Sequence, residues 1–155
     1  MITVEIPGMP TPYARARSHG RRRFHGGSHA AWEASAAPYL AAAAATLAEP
    51  LTGPLTVRIV AVYPRPKRTP RSAPVGRLVP RTVRSDLDNV IKLVLDCAVK
   101  AGLLLDDRHV ARITAEHYHG AIGEGPRVIL SIGAIDGGEA QDSGGTAGGT
   151  ASTRG

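Results

Sequence analysis

Apolar and polar positions alternate along residues 2–6, Ile-Thr-Val-Glu-Ile, which is the period of a half-buried strand. Pro7-Gly8-Met9-Pro10-Thr11-Pro12 ends that pattern, because proline removes ladder donors and glycine favours turns. Trp32, Ala36, Tyr39 or Leu40, Ala43 and Leu47 then recur at helical spacing. The spacing predicts a helix capped by Ser28 and running to about Ala48, kinked or split at Pro38. Residues 55–63 (Leu-Thr-Val-Arg-Ile-Val-Ala-Val-Tyr) are rich in β-branched side chains and read as a strand. Leu87, Ile91, Val94, Leu95 and Ala98 fall on one stripe of a second helix, with Ser85 at its N-cap, Asp88 at N3 and Gly102 just past its end. Residues 110–118 alternate again, residues 120–126 form a turn, and residues 127–135 complete a hairpin. The order β-α-β-α-β-β predicts an α/β (α+β) domain over residues 1–135, a small mixed sheet covered by helices.

Three stretches carry no period. Residues 12–28 are rich in Arg, residues 64–84 are rich in Arg and Pro, and residues 136–155 are mostly Gly, Ser, Thr and Ala with no core-forming side chains. The last is expected to be a disordered tail dispensable for activity. The first two read as basic loops. Arg15, Arg17, Arg21, Arg22 and Arg23 lie in one, among Tyr13, His19, Phe24 and His25, which suits phosphate contact with stacking on an unpaired base. The other holds Arg65, Lys67, Arg68, Arg71, Arg77, Arg81 and Arg84 and runs straight into an acidic motif; it is expected to be a flap that orders on DNA. A plain flexible insertion is the alternative in both places.

Charge sharpens this picture. Of 155 residues, 19 are Lys or Arg and 13 Asp or Glu. Residues 1–84 hold thirteen bases against three acids, whereas residues 85–124 hold four bases against seven acids. Basic arms beside an acidic pocket suit a protein that gathers a polyanion towards a metal-dependent site. A bias towards Ala, Gly, Pro and Arg inflates the count but does not explain the clustered acids. Cys97 is the single cysteine, so no intrachain disulfide forms; it reads as a small core residue in a reducing compartment. No apolar run reaches membrane-spanning length and no basic-then-apolar leader opens the chain, so a cytoplasmic protein away from membranes is expected.

The acids are Asp86 and Asp88, flanking Leu87 at the start of the second helix, and Asp106-Asp107 after it. Carboxylates brought together repel until a cation arrives, and oxygen donors meeting at one point suit a hard divalent ion such as Mg²⁺. Lys92, one turn on, would steady a phosphate or orient an attacking water. Plainer readings stand beside this. Asp86 and Asp88 favour the helix dipole without any metal, Asp88–Lys92–Asp96 forms an i,i+4 ladder, and Asp106 or Asp107 caps a turn. His117 and His119 share a strand face but lack further ligands, so polar surface is expected there.

The Asp86-Leu87-Asp88-Asn89 box, Lys92, Ala101-Gly102 and Asp106-Asp107 together resemble the signature of the RusA-type Holliday-junction resolvase family, in type and in spacing. The close match runs over residues 81–113, and a weaker one extends from the N-terminus to the strand ending near Ile135. The resemblance implies that Asp86, Asp88 and Asp107 hold the metal and act in catalysis, with Lys92 as the catalytic lysine. It implies a homodimeric endodeoxyribonuclease, dependent on Mg²⁺ (or Mn²⁺), that resolves four-way junctions by paired symmetric cuts. DNA contacts are expected from Arg15, Arg17, Arg21, Arg22, Arg23, Lys67, Arg68, Arg71, Arg81 and Arg84. The rivals are a non-catalytic DNA-binding protein of the same fold and a metal-dependent enzyme acting on a nucleotide-sugar, for which the chain is short and basic.

Overall fold

A nine-residue strand, β4 (Leu55–Tyr63), forms the middle of the fold. All but two of its residues are buried; Leu55, Val57, Ile59, Ala61 and Tyr63 face the core, and Thr56 and Arg58 lie on the opposite face. The computed structural model describes residues 1–9, 17–19, 22–24, 27–67, 79–80 and 87–135. On one side β4 pairs antiparallel with β7 (Arg127–Ala134), which pairs with β1 (Ile2–Pro7). On its other side β4 pairs parallel with β6 (Val110–His119), and β5 (Val79–Pro80) adds two residues against Tyr118 and His119. The five-stranded order is β1-β7-β4-β6-β5. It is a mixed sheet with helices, as the pattern predicts.

A parallel pair needs a crossover, and α2 (Leu87–Lys100) supplies it between β4 and β6. Its buried residues include Val90, Leu93, Val94, Cys97 and Ala98, at helical spacing. The expected stripe is thus turned slightly: Leu87 and Ile91 are only half-buried, and Val90, Leu93 and Cys97 take the core. α1 (Gly27–Ala44) packs Trp32, Ala36 and Leu40 into the same core, against β1 and α2. Leu40, Ile6, Ile59, Leu130 and Ile132 lose essentially all solvent contact, each worth about 1.5–3 kcal/mol of transfer free energy.

Several boundaries differ from expectation. Ser28 lies inside α1, the helix ends at Ala44, and Pro38 does not split it. Ala37, Pro38 and Tyr39 face solvent, where water can satisfy the carbonyl that proline leaves without a donor. The segment read as a basic loop over residues 12–28 contains a hairpin of β2 (Arg17–His19) and β3 (Arg22–Phe24), and the 64–84 segment contains β5. Such short strands leave no apolar alternation to read. Ser85 and residues 136–155 lie outside the described residues.

Candidate active site

The acidic turn after α2 is built on backbone pairing. Gly102, at φ +73°, closes the helix. Leu51 N–H donates to the Leu103 carbonyl (3.1 Å), and Leu105 N–H donates to the Leu51 carbonyl (3.1 Å), a small parallel bridge just before β4 begins. Leu103 and Leu104 are buried beneath it, and the turn Asp107–His109 follows as a single 3-10 turn. The run therefore comes to the surface at the amino ends of β4 and β6.

Asp106 caps that turn. Its Oδ1 accepts from Arg108 N–H at 2.9 Å, and its backbone is extended (φ −163°). That hydrogen bond, and then the Arg108 charge, hold its carboxyl below the ordinary carboxylate value. His109 closes the turn: its Nδ1 accepts from Gly53 N–H at 3.2 Å, which places the ring proton on Nε2.

Asp107 is exposed and lines an open cleft of about 460 Å³ together with Asp96, Val99, Lys100 and Asp106. Lys100 also forms an ion pair with Glu33 of α1, which raises the Lys100 pKa above its ordinary value. Asp88 and Lys92, exposed on the first two turns of α2, do not line this cleft. Eight residues, roughly 12 Å of helical rise, separate Asp88 from Asp96. Among the described residues no three acids, histidines or cysteines stand close enough to hold a metal ion. Asp86 lies outside the described residues.

Sequence reasoning passed over Asp96 as one rung of a helix ladder. It also left Lys100 and His109 unassigned, because nothing in spacing shows that β6 pairs parallel with β4 and returns the turn to the end of α2. His117 and His119 are not plain surface. His117 packs edge-on against Tyr63, with ring centroids 5.2 Å apart, and His119 Nδ1 lies 3.2 Å from the Pro64 carbonyl. Of the expected DNA contacts, Lys67 is exposed beside Arg65 at the carboxyl end of β4. Arg17, Arg22 and Arg23 lie on β2 and β3; Arg15, Arg21, Arg68, Arg71, Arg81 and Arg84 lie outside the described residues.

A mixed sheet whose parallel pair is joined by a crossover helix, with Asp88 near one end of that helix and Asp96 and Asp107 near the other, defines a small α+β domain. No helix among the described residues is long and apolar enough to cross a membrane. The family model of endodeoxyribonuclease RusA matches residues 5–133, and the chain belongs to that family of DNA endonucleases, which acts on Holliday-junction DNA. A search of curated proteins found no match.

Proposed function

We propose that the chain is a Mg²⁺-dependent, homodimeric endonuclease that resolves four-way DNA junctions by paired, symmetric phosphodiester hydrolysis. The observation that carries this reading is the match over residues 5–133, across which the Asp86-Leu87-Asp88-Asn89 box, Lys92 and Asp107 are intact. The donors suit the ion: Asp88 and Asp107 offer exposed carboxylate oxygens, hard ligands of the kind Mg²⁺ takes. When bound, the ion would polarise the phosphoryl group and acidify a water. Asp86, Asp88 and Asp107 would hold it. Lys92, a turn from Asp88 and also exposed, would direct its ammonium at the negative charge on the phosphate. The arginine-rich segments would draw the substrate in from solution.

The placement of the acids supports a dimer. Asp88 belongs to the first turn of α2, whereas Asp107 opens onto its last turns beside Asp96 and Lys100. Two copies related by a twofold axis, with their α2 helices antiparallel, would set Asp88 of one against Asp107 of the other, twice. Such a pair of sites is what symmetric cutting requires.

The test is a synthetic mobile four-way junction incubated with and without Mg²⁺. Paired nicks at symmetric positions are expected with the metal. Asp88→Asn is expected to abolish them while binding the junction as well or better, since a negative charge beside phosphates is removed. Binding without cutting by the unaltered chain would favour a DNA-binding protein of the same fold. Cutting by Asp88→Asn at the unaltered rate would overturn the assignment of the site.

A further inference from the structure

At the carboxyl ends of β4 and β6 two segments face each other across a cleft of about 340 Å³. One leaves β4 and carries Arg65 and Lys67; the other is the turn between β6 and β7, with Ile122 near its tip. This turn is braced on both sides of its tip. Gly120 N–H donates to the Tyr63 carbonyl (2.8 Å), Ala121 N–H to the Glu124 carboxylate (3.1 Å), and Glu124 N–H to the Ala121 carbonyl (3.1 Å). The approach of His119 to the Pro64 carbonyl ties the two walls together. Gly123 takes φ +89°, a conformation that a side chain would strain.

Within this frame Ala121 is buried and Ile122, the next residue, is 60% exposed. One exposed aliphatic is ordinary on a protein surface. An aliphatic at the tip of a turn hydrogen-bonded on either side of it, opposite an exposed lysine, is a more specific arrangement. Glu124 also lines the cleft, against two cations, Arg65 and Lys67; its carboxylate accepts from Ala121 N–H and lies 3.6 Å from the Arg127 guanidinium, which is 3.4 Å from Glu5 as well. Cations beside a fixed apolar tip match DNA: phosphates meet the charge, and an opened base step meets the aliphatic.

We infer that Ile122 is a wedge that enters DNA at a branch point, with Lys67 gripping the adjoining phosphate. The inference rests on the reading of the chain as a junction nuclease. A continuous duplex must be unstacked before a wedge can enter, whereas at a branch the stack is already interrupted. The wedge therefore adds affinity for the junction and little for the duplex, and does so before any bond is cut.

The test uses the full chain in Ca²⁺, with a four-way junction carrying 2-aminopurine at the crossover and a linear duplex of equal length. The unaltered chain is expected to prefer the junction and to brighten the probe. Ile122→Gln is expected to lose the brightening and to weaken junction binding by about tenfold, the low end of the scale for burying one aliphatic side chain, with duplex binding unchanged. Ile122→Phe should restore both, and Lys67→Gln should weaken both DNAs alike and lower the salt dependence. Thermal unfolding of each variant is followed in parallel, and an unchanged midpoint for Ile122→Phe shows that the turn survives substitution. If Ile122→Gln brightens and binds like the unaltered chain, or loses both DNAs equally, the wedge is wrong, while Mg²⁺-dependent junction cutting keeps the nuclease reading. If the unaltered chain neither prefers nor cuts junctions, the nuclease reading fails and the wedge falls with it.

Discussion

His109 accepts a hydrogen bond at Nδ1 from the backbone N–H of Gly53, 56 residues earlier in the chain, at 3.2 Å. The bond ties the turn that presents Asp107 to the loop that opens β4. Its Nε2 is buried and has no hydrogen-bond partner among the described residues, so the Gly53 contact is the polar anchor of the ring. We predict that His109→Ala lowers the free energy of unfolding by about 1 kcal/mol, the usual net worth of such a bond. His109→Asn should recover most of that loss, because asparagine Oδ1 takes the place of Nδ1. Urea unfolding of the three proteins at one pH checks this; equal destabilisation by Ala and Asn would remove the hydrogen bond from the explanation.

That bond also marks where the sequence stops being informative. The strands at residues 2–6, 55–63 and 127–135, the second helix and the Asp-Leu-Asp-Asn box were all legible, because each is written in local period or local chemistry. The parallel pairing of β4 with β6 was not, since it depends on contacts such as Leu51 with Leu104 that no local pattern encodes. Once that pairing exists, Asp107 must lie beside Asp96 and Lys100. Residues 110–118 and 127–135 do form strands, but the hairpin expected between them does not: β7 pairs with β4 and β1, and β6 pairs with β4 and β5, because β4 lies between them. Of the two outcomes expected at Pro38, the split does not occur: propensity penalises proline in a helix, and the packing of Trp32, Ala36 and Leu40 outweighs the penalty.

Cys97 faces the α1–α2 interface, where burial, and then the Glu33 charge, push its thiol up to about 11 from an ordinary 9.0. At pH 8 the native chain then carries about a hundredfold less thiolate than the unfolded one. Ellman's reagent should label the native protein at least about a hundredfold more slowly than the guanidinium-unfolded protein. Comparable rates would mean that the thiol is neither buried nor shifted.

Glu116 accepts from the Tyr118 hydroxyl (2.9 Å) and pairs with Arg58 (2.6 Å) on the sheet face away from the helices. The Tyr118 bond first, and the Arg58 contact second, hold its carboxyl below the ordinary 4.5. A depressed carboxyl stabilises the fold above its unfolded-state value and loses that contribution as pH falls through the folded-state value. Glu116→Gln should therefore be less stable than the unaltered chain at pH 7, and the difference should close on acidification below 4.5. Thermal midpoints measured from pH 7 to pH 3 follow it. A gap that persists unchanged at low pH would assign the effect to packing and not to charge.

Asp106 and Asp107 are adjacent, yet their surroundings assign them different work. Asp106 has one oxygen committed to Arg108 N–H and an extended backbone that starts the turn. Its role needs an acceptor and does not need a full negative charge. Asparagine keeps the acceptor, so Asp106→Asn should retain stability and most junction cleavage, while Asp106→Ala should cost about 1 kcal/mol, the usual price of a lost cap. Asp107 makes no cap; it is exposed on the cleft with Asp96. If it holds Mg²⁺, its charge is the point, and Asp107→Asn should reduce cleavage by at least about a hundredfold with unfolding unchanged. Raising Mg²⁺ should rescue Asp107→Asn in part and leave Asp106→Ala where it is. The opposite pattern, with Asp106→Asn inactive and Asp107→Asn active, would move the metal ligand one residue back and make Asp107 the structural member of the pair.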